Sequence, residues 1–173
     1  MVFNKLDTIN NSLTKIPNDI DCLRQLRCLE LSRNKLKELP DAIGQITFLE
    51  VLDISNNQIT ILGKSLSKLQ NIRILDASLN RLTECLINFE NMNRLEKICL
   101  EYNYLDHINP NIVNCSKLIE VKLCCNYLNP DNFVWNSNVN VDMSDQNPEN
   151  YCHRCDDFFE DSKAEHIKLE HHA

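Results

Sequence analysis

The chain has 173 residues, nine cysteines, only two glycines and a formal charge of −7. Residues 144–173 hold eight acidic and three basic side chains, so this stretch carries −5 and the preceding residues only −2. A chain of this charge lacks the basic footprint that phosphate backbones require, which disfavours nucleic-acid binding. No apolar run approaches the roughly 20 residues that span a membrane, so we expect no membrane association.

An asparagine recurs at every twenty-third residue along most of the chain, without an insertion or a deletion. Aligned on it, repeat units begin at residues 3, 26, 49, 72, 95 and 118, the last being incomplete. Positions one, four and eleven of the unit are apolar throughout, and positions six, fourteen, eighteen and twenty-one nearly so. This period and pattern predict a stacked solenoid. The recurring asparagines are Asn11, Asn34, Asn57, Asn80, Asn103 and Asn126.

Each unit is predicted to contain one short strand and a return segment. Apolar residues at positions four and six alternate, as a strand with one buried face requires. Parallel stacking of successive strands needs a return path, and we expect short helical or 3-10 turns there, beginning after Pro17 and Pro40 in the first two units. Each asparagine lies where the chain leaves its strand, so its side chain can bond backbone groups that the turn leaves unpaired.

These units resemble the leucine-rich repeat family, specifically its 23-residue intracellular class with an Ile-Pro or Leu-Pro step, here Ile16-Pro17 and Leu39-Pro40. The resemblance covers residues 3 to about 130 and implies an α/β-type solenoid with a single parallel sheet on its concave side. The class includes scaffold proteins of Ras signalling. The family binds many unrelated proteins, so the resemblance implies a protein-interaction role without identifying the partner.

Position five of the unit predicts an acidic stripe on the concave face. Like charges stacked across a sheet cost stability. The stripe is therefore either an ordinary solvated strand face or a surface for a basic segment of a protein partner. Among its members, Asp53 and Asp76 are predicted to bind that partner. In chain order, position five reads Asp7, Glu30, Asp53, Asp76, Cys99 and Lys122.

Three tyrosines follow at positions eight and ten of the later units. Exposed tyrosines on a rigid sheet are favoured interface anchors, because they bury a large area at little entropic cost. Tyr102, Tyr104 and Tyr127 are therefore predicted to bind the partner together with the stripe. The alternative is that they cover the last turns beneath a folded-back tail.

No catalytic constellation accompanies the repeats. A chain whose only glycines are Gly44 and Gly63 has no phosphate-cradling loop, and His107 is isolated within its unit. We therefore expect a protein that is not an enzyme.

The repeat pattern stops after Leu128. Phe133, Val134 and Trp135 are expected to fold over the open end of the core, because a terminal unit needs a cap. The predicted organisation is a solenoid with its cap over residues 1–135, a polar linker over 136–150 and a tail over 151–173.

The tail is predicted to bind zinc. Cys152, Cys155, His166 and His171 have the spacing Cys-x2-Cys-x10-His-x4-His, with His172 as a substitute for the last ligand. Two thiolates and two imidazoles can close a tetrahedral zinc site. The segment resembles the classical two-cysteine, two-histidine zinc finger over about 22 residues, but the family usually has twelve residues between the central ligands. The alternative is an acidic tail with incidental cysteines.

The leading functional hypothesis is a non-catalytic adaptor that holds a protein partner on its concave face. Two alternatives are a nucleic-acid-associated protein assisted by the zinc finger and a substrate receptor of a larger complex such as a ubiquitin ligase. The acidic residues near the finger favour a protein-binding or structural finger over one that binds DNA. The odd number of cysteines and the absence of a secretory-type N-terminus favour the cytoplasm, with the nucleus as the alternative.

Overall fold

The computed structural model describes residues 4–146, and these residues form a solenoid around one core. Seven parallel strands make its main sheet, in the order β1-β2-β3-β5-β7-β8-β9, and β4 and β6 form a second, two-stranded sheet. In chain order the strands are β1 Lys5–Asp7, β2 Cys28–Glu30, β3 Val51–Asp53, β4 Ile61–Leu62, β5 Ile74–Asp76, β6 Glu84–Cys85, β7 Lys97–Cys99, β8 Glu120–Lys122 and β9 Asn140–Asp142.

The 23-residue period sets the register of the main sheet. From β1 to β8, every pairing joins residues one full period apart, as Leu52 pairs with Leu75 between β3 and β5. The central residue of each internal strand is buried while its two neighbours stay partly exposed. Equivalent side chains therefore lie in columns, one above the other, and the predicted solenoid, with one strand of the main sheet per unit, is confirmed.

The apolar columns meet in the core between the sheet and the return segments. Leu26, Leu49 and Leu95 from position one are fully buried, and Phe89 is the largest buried side chain. In the first unit Leu6 and Leu13 are only partly buried, because no earlier unit among the described residues packs on them. Burial is therefore deepest in the internal units, as expected for a solenoid whose units contact only their neighbours.

Among the first six units, the return segments of all but the fourth contain the predicted 3-10 turns. Close stacking of the second and third turns explains one of the two glycines, since a Cβ at Gly44 would overlap the backbone carbonyl of Ser65. The β4–β6 sheet also lies in the return segments and was not predicted. The turns span Asn18–Cys22, Asp41–Gln45, Lys64–Lys68, Pro110–Asn114 and Pro130–Asn132.

The solenoid extends further than the sequence predicts. The predicted linker over residues 136–150 begins too early, because Asn140–Asp142 pairs with β8 as the last strand of the sheet. The predicted end cap is also only partly right. Phe133 and Trp135 stack with ring centroids 5.5 Å apart and pack against the core, but Val134 between them is 86% exposed.

Within residues 4–146, no helix is long and apolar enough to cross a membrane. The predicted zinc ligands Cys152, Cys155, His166 and His171 lie outside the described residues, as does the alternative ligand His172.

Candidate protein-binding face

The recurring asparagines fix the turn that follows each strand. The Asn103 side-chain nitrogen donates to the backbone oxygens of Leu100 and Glu101 in its own unit, and to that of Ala77 in the preceding unit. Its oxygen accepts a hydrogen bond of 2.9 Å from the backbone nitrogen of Leu82. From Asn34 to Asn126, each such side chain ties two neighbouring units together, which confirms the predicted role, whereas Asn11 bonds only within its own turn. We call this column the asparagine ladder: Asn11, Asn34, Asn57, Asn80, Asn103 and Asn126.

Gln146 extends the asparagine ladder into a seventh unit. Its side-chain nitrogen donates to the backbone oxygens of Leu123, Met143 and Ser144, and its oxygen accepts from the nitrogen of Leu128 at 2.9 Å. These partners match those of an asparagine one unit earlier. The seventh unit escaped prediction because Gln146 follows Asn126 by 20 residues rather than 23 and is not an asparagine.

The residue before each ladder side chain adopts the left-handed backbone conformation. All seven have φ between 52° and 56°. This conformation is uncommon for residues other than glycine, asparagine and aspartate. The mixed residue types at position eight gave no sequence signal for it. The seven are Asn10, Arg33, Asn56, Leu79, Tyr102, Cys125 and Asp145.

The acidic stripe exists in the register that the sequence predicts. Asp7 pairs with Glu30, Glu30 with Asp53 and Asp53 with Asp76. The column continues through Cys99, as predicted, and then Lys122. Asp53 and Asp76, two of the predicted binding residues, are thus direct cross-strand neighbours.

One carboxylate oxygen of each of these aspartates stabilises the end of its strand. One oxygen of Asp76 accepts hydrogen bonds from the backbone nitrogen of Ser78 at 3.0 Å and from its hydroxyl at 2.7 Å. Asp53 does the same with Ser55, and Asp142 with Ser144. The carboxylates therefore cap the ends of their strands. The sequence signal for these caps is the repeated Asp-x-Ser motif.

The other oxygen of Asp53 and of Asp76 accepts no hydrogen bond within residues 4–146, and neither carboxylate forms an ion pair there. Burial raises the pKa of Asp76, and repulsion from Asp53 raises it further, against the lowering effect of the Ser78 hydrogen bonds. Lys122, two strands further along the same column, also lowers the pKa of Asp76. Two partly buried like charges thus face each other, and neither has an ion-pair partner within residues 4–146.

Most other carboxylates on or beside the main sheet form ion pairs, such as Glu30 with Lys5 and Glu120 with Lys97. Beside the strands, position two carries an alternating ion-pair ladder of Arg27, Glu50, Arg73 and Glu96. Arg73 donates two hydrogen bonds of 2.9 Å to Glu96, and these lower the pKa of that carboxyl. The sequence signal was the alternation of basic and acidic residues at position two. It predicts ion pairs only once the register shows that these residues are neighbours.

The predicted tyrosines follow in the fifth and sixth units. Tyr104 and Tyr127 occupy the same column in adjacent units, and the backbone nitrogen of each donates at 2.8 Å to the preceding unit. Tyr127 is 43% exposed, whereas Tyr104 and Tyr102 are half-buried. The structure therefore brings the aspartates together as one pair and these two tyrosines together as another, in different units of the same solenoid.

The cysteines near the tyrosines are packing residues. Cys124 and Cys125 are buried, and Tyr102 packs against them. Burial is the main cause that raises the pKa of the Cys124 thiol, and it raises that of Cys85 to about 11. Thiols held in the protonated form are poor nucleophiles and poor metal ligands. Within the described part of the chain, no group of three potential metal ligands comes together.

The sequence of residues 5–139 matches the model of a leucine-rich repeat region. The chain belongs to the leucine-rich repeat family. Comparison with curated proteins gives no significant match.

Solved leucine-rich repeat structures share the fold. A leucine-rich repeat protein of Leptospira interrogans superposes with a TM-score of 0.69 and 26% identity, covering 81% of this chain and 38% of its own. The functional domain of InlJ from Listeria monocytogenes, which includes a cysteine ladder, superposes with a TM-score of 0.68 and 25% identity. The match covers 83% of this chain and 30% of the InlJ domain. This chain thus spans about a third of the length of either protein.

A third similar structure is the leucine-rich repeat ectodomain of the receptor kinase SOBIR1 from Arabidopsis thaliana. It superposes with a TM-score of 0.63 and 30% identity, and the match covers 71% of each chain. The seven described cysteines of the present chain fall in seven different repeat positions, so these residues form no column of cysteines.

Proposed function

We propose that this leucine-rich repeat protein is a non-catalytic adaptor that holds a protein partner, possessing a basic segment, on the concave face of its sheet. The family to which the chain belongs is typically one of protein-interaction modules. The observation that supports the proposal is the facing pair Asp53 and Asp76, neither of which forms an ion pair within residues 4–146, in a sheet whose other carboxylates are largely paired with cations. The tyrosines of the next two units supply anchors further along the solenoid.

The tyrosine contribution can be tested by substitution in the full chain. Tyr104→Ala combined with Tyr127→Ala should weaken partner capture by at least about tenfold, because interface anchors of this type commonly contribute 2 kcal/mol or more. Capture from cell extract, quantified by mass spectrometry, measures the effect, and circular dichroism verifies that the variant folds. The matched control is Lys64→Ala with Lys68→Ala on an outer 3-10 turn. Loss of capture in the control alone would place the binding surface on the opposite side.

We propose further that the tail holds one zinc ion through Cys152, Cys155, His166 and His171, and that the protein acts in the cytoplasm or the nucleus. The support for zinc is the ligand spacing together with the composition of the tail. About 22 residues with two phenylalanines cannot build a stable core alone, so metal binding would supply the folding free energy.

Zinc binding can be measured directly on the full chain. The wild-type protein should bind one equivalent of zinc, and the Cys152→Ser variant should lose it, because thiolate ligands dominate such sites. Affinity should fall as the pH is lowered, because protons compete for the thiolates. Cys22→Ser is the matched control, since Cys22 is exposed and lies in the first 3-10 turn. Equal zinc binding by the Cys152→Ser and wild-type proteins would reduce the tail to an acidic appendage.

A further inference from the structure

The solvent-facing side of the main sheet carries an apolar row beside the acidic residues. This row consists of three half-buried residues on β2, β3 and β5. Val51 pairs with Cys28 on one side and with Ile74 on the other. Two residues further along the same strands, on the same face, lies an acidic row of Glu30, Asp53 and Asp76. Two steps along a parallel strand separate the rows by about 6.6 Å.

The two rows are bordered by groups that already form ion pairs or hydrogen bonds with other residues of the chain. On one side lies the ion-pair ladder. On the other side, the hydroxyls of Ser55 and Ser78 donate to the aspartates. Glu30 is paired with Lys5 at 2.7 Å. Asp53 and Asp76 are therefore the carboxylates of the acidic row that form no ion pair within residues 4–146, and they lie next to Val51 and Ile74. Lys122, two strands beyond Asp76, offsets only part of their charge.

We propose that the face of β2, β3 and β5 docks an amphipathic basic helix of the partner, which runs along the solenoid axis across the strands. Lysine or arginine side chains of the helix lie over Asp53 and Asp76, and aliphatic side chains lie over Val51 and Ile74. This inference rests on the proposed function and specifies the chemistry of the partner. Charge complementarity supports it, because a cation placed here relieves the repulsion between two facing carboxylates.

The spacing of the rows distinguishes a helix from an extended segment. Neighbouring strands are about 4.8 Å apart, and this distance separates successive members of each row. Successive turns of a helix rise about 5.4 Å, so over three units the two periods drift apart by only about 1 Å. Same-side residues of an extended chain recur at about 6.6 Å, and they fall out of step within two units. A helix can thus contact every unit, whereas a strand cannot.

A designed peptide tests the proposal on the full chain. The probe is a helical peptide of about four turns, with lysines on one stripe and isoleucines on the adjacent stripe. Fluorescence anisotropy should show binding that Asp53→Asn with Asp76→Asn weakens by about threefold to thirtyfold. Asparagine retains the side-chain oxygen that accepts from Ser55 and Ser78, so the strand caps survive. Binding should also weaken as salt is raised, because the pairs are partly exposed.

Two controls separate charge from position. Asp19→Asn with Asp21→Asn removes the same charge from an outer turn and should leave binding unchanged. A peptide of the same composition, scrambled so that neither the lysines nor the isoleucines form a stripe, should bind more weakly than the probe. Equal affinity of the probe for the wild type and the Asp53/Asp76 variant, or no binding at all, overturns the inference. The adaptor proposal itself still stands if the tyrosine substitutions reduce partner capture, so the two failures are distinguishable.

Discussion

At the scale of single residues, side-chain amides hold the solenoid together. A ladder asparagine satisfies three backbone oxygens and one backbone nitrogen in two units at once. The sequence predicts this role because the residue recurs at a fixed interval beside a turn. It does not predict the left-handed residue before it, since Leu79 and Tyr102 adopt that conformation as Asn56 does. Tertiary packing there overrides local preference.

Substitution of a buried ladder residue should be costly. Asn103 is 2% exposed, and Asn103→Ala would leave its four backbone partners without the side chain that satisfies them. Each unsatisfied buried group costs about 1–3 kcal/mol, and partial relaxation leaves an expected loss of about 3 kcal/mol. Asn11→Ala is the matched control, because Asn11 is exposed and bonds only within its own turn. Urea denaturation measures both, and equal losses would contradict this account of the ladder.

At the scale of elements, periodicity predicts the strands and their register but not every strand. Apolar residues at positions four and six flank a polar residue at position five, and this alternation, which is typical of a strand with one buried face, predicts β2, β3 and β5. Strand β9 escapes this reasoning, since its unit is shifted by three residues. Its Asp142-Met143-Ser144 repeats the Asp-x-Ser of the third and fourth units, and that motif could have located it.

The candidate site, like the strands, was predictable only in part. The sequence predicts that Asp53 and Asp76 stack, because both occupy position five. It cannot show that each carboxylate uses one oxygen to cap a strand, or that other acids have cations nearby. Those facts depend on side-chain direction across neighbouring strands. They change the interpretation of the stripe from a uniform acidic face to one pair of aspartates without ion-pair partners beside an apolar row.

At the scale of the whole molecule, stability depends on contacts between successive units. Equivalent leucines stack along the axis, so each internal side chain packs against the units on both sides. In such an array, stability is approximately the sum of unit and interface terms. A defect in a central unit weakens two interfaces, whereas a defect in the first unit weakens one.

This asymmetry gives a test of the register. Leu75→Ala and Leu100→Ala should each lower the free energy of unfolding by about 2–5 kcal/mol, because both side chains are almost fully buried in internal units. Leu6→Ala changes the same position as Leu75→Ala in the first unit, where the side chain is only partly buried, so its loss should be smaller. Urea denaturation monitored by circular dichroism gives all three values. A central substitution also weakens the coupling between the halves of the solenoid, so its transition should broaden or divide in two. Near-wild-type stability of the Leu75→Ala and Leu100→Ala variants would mean that these columns do not form the core.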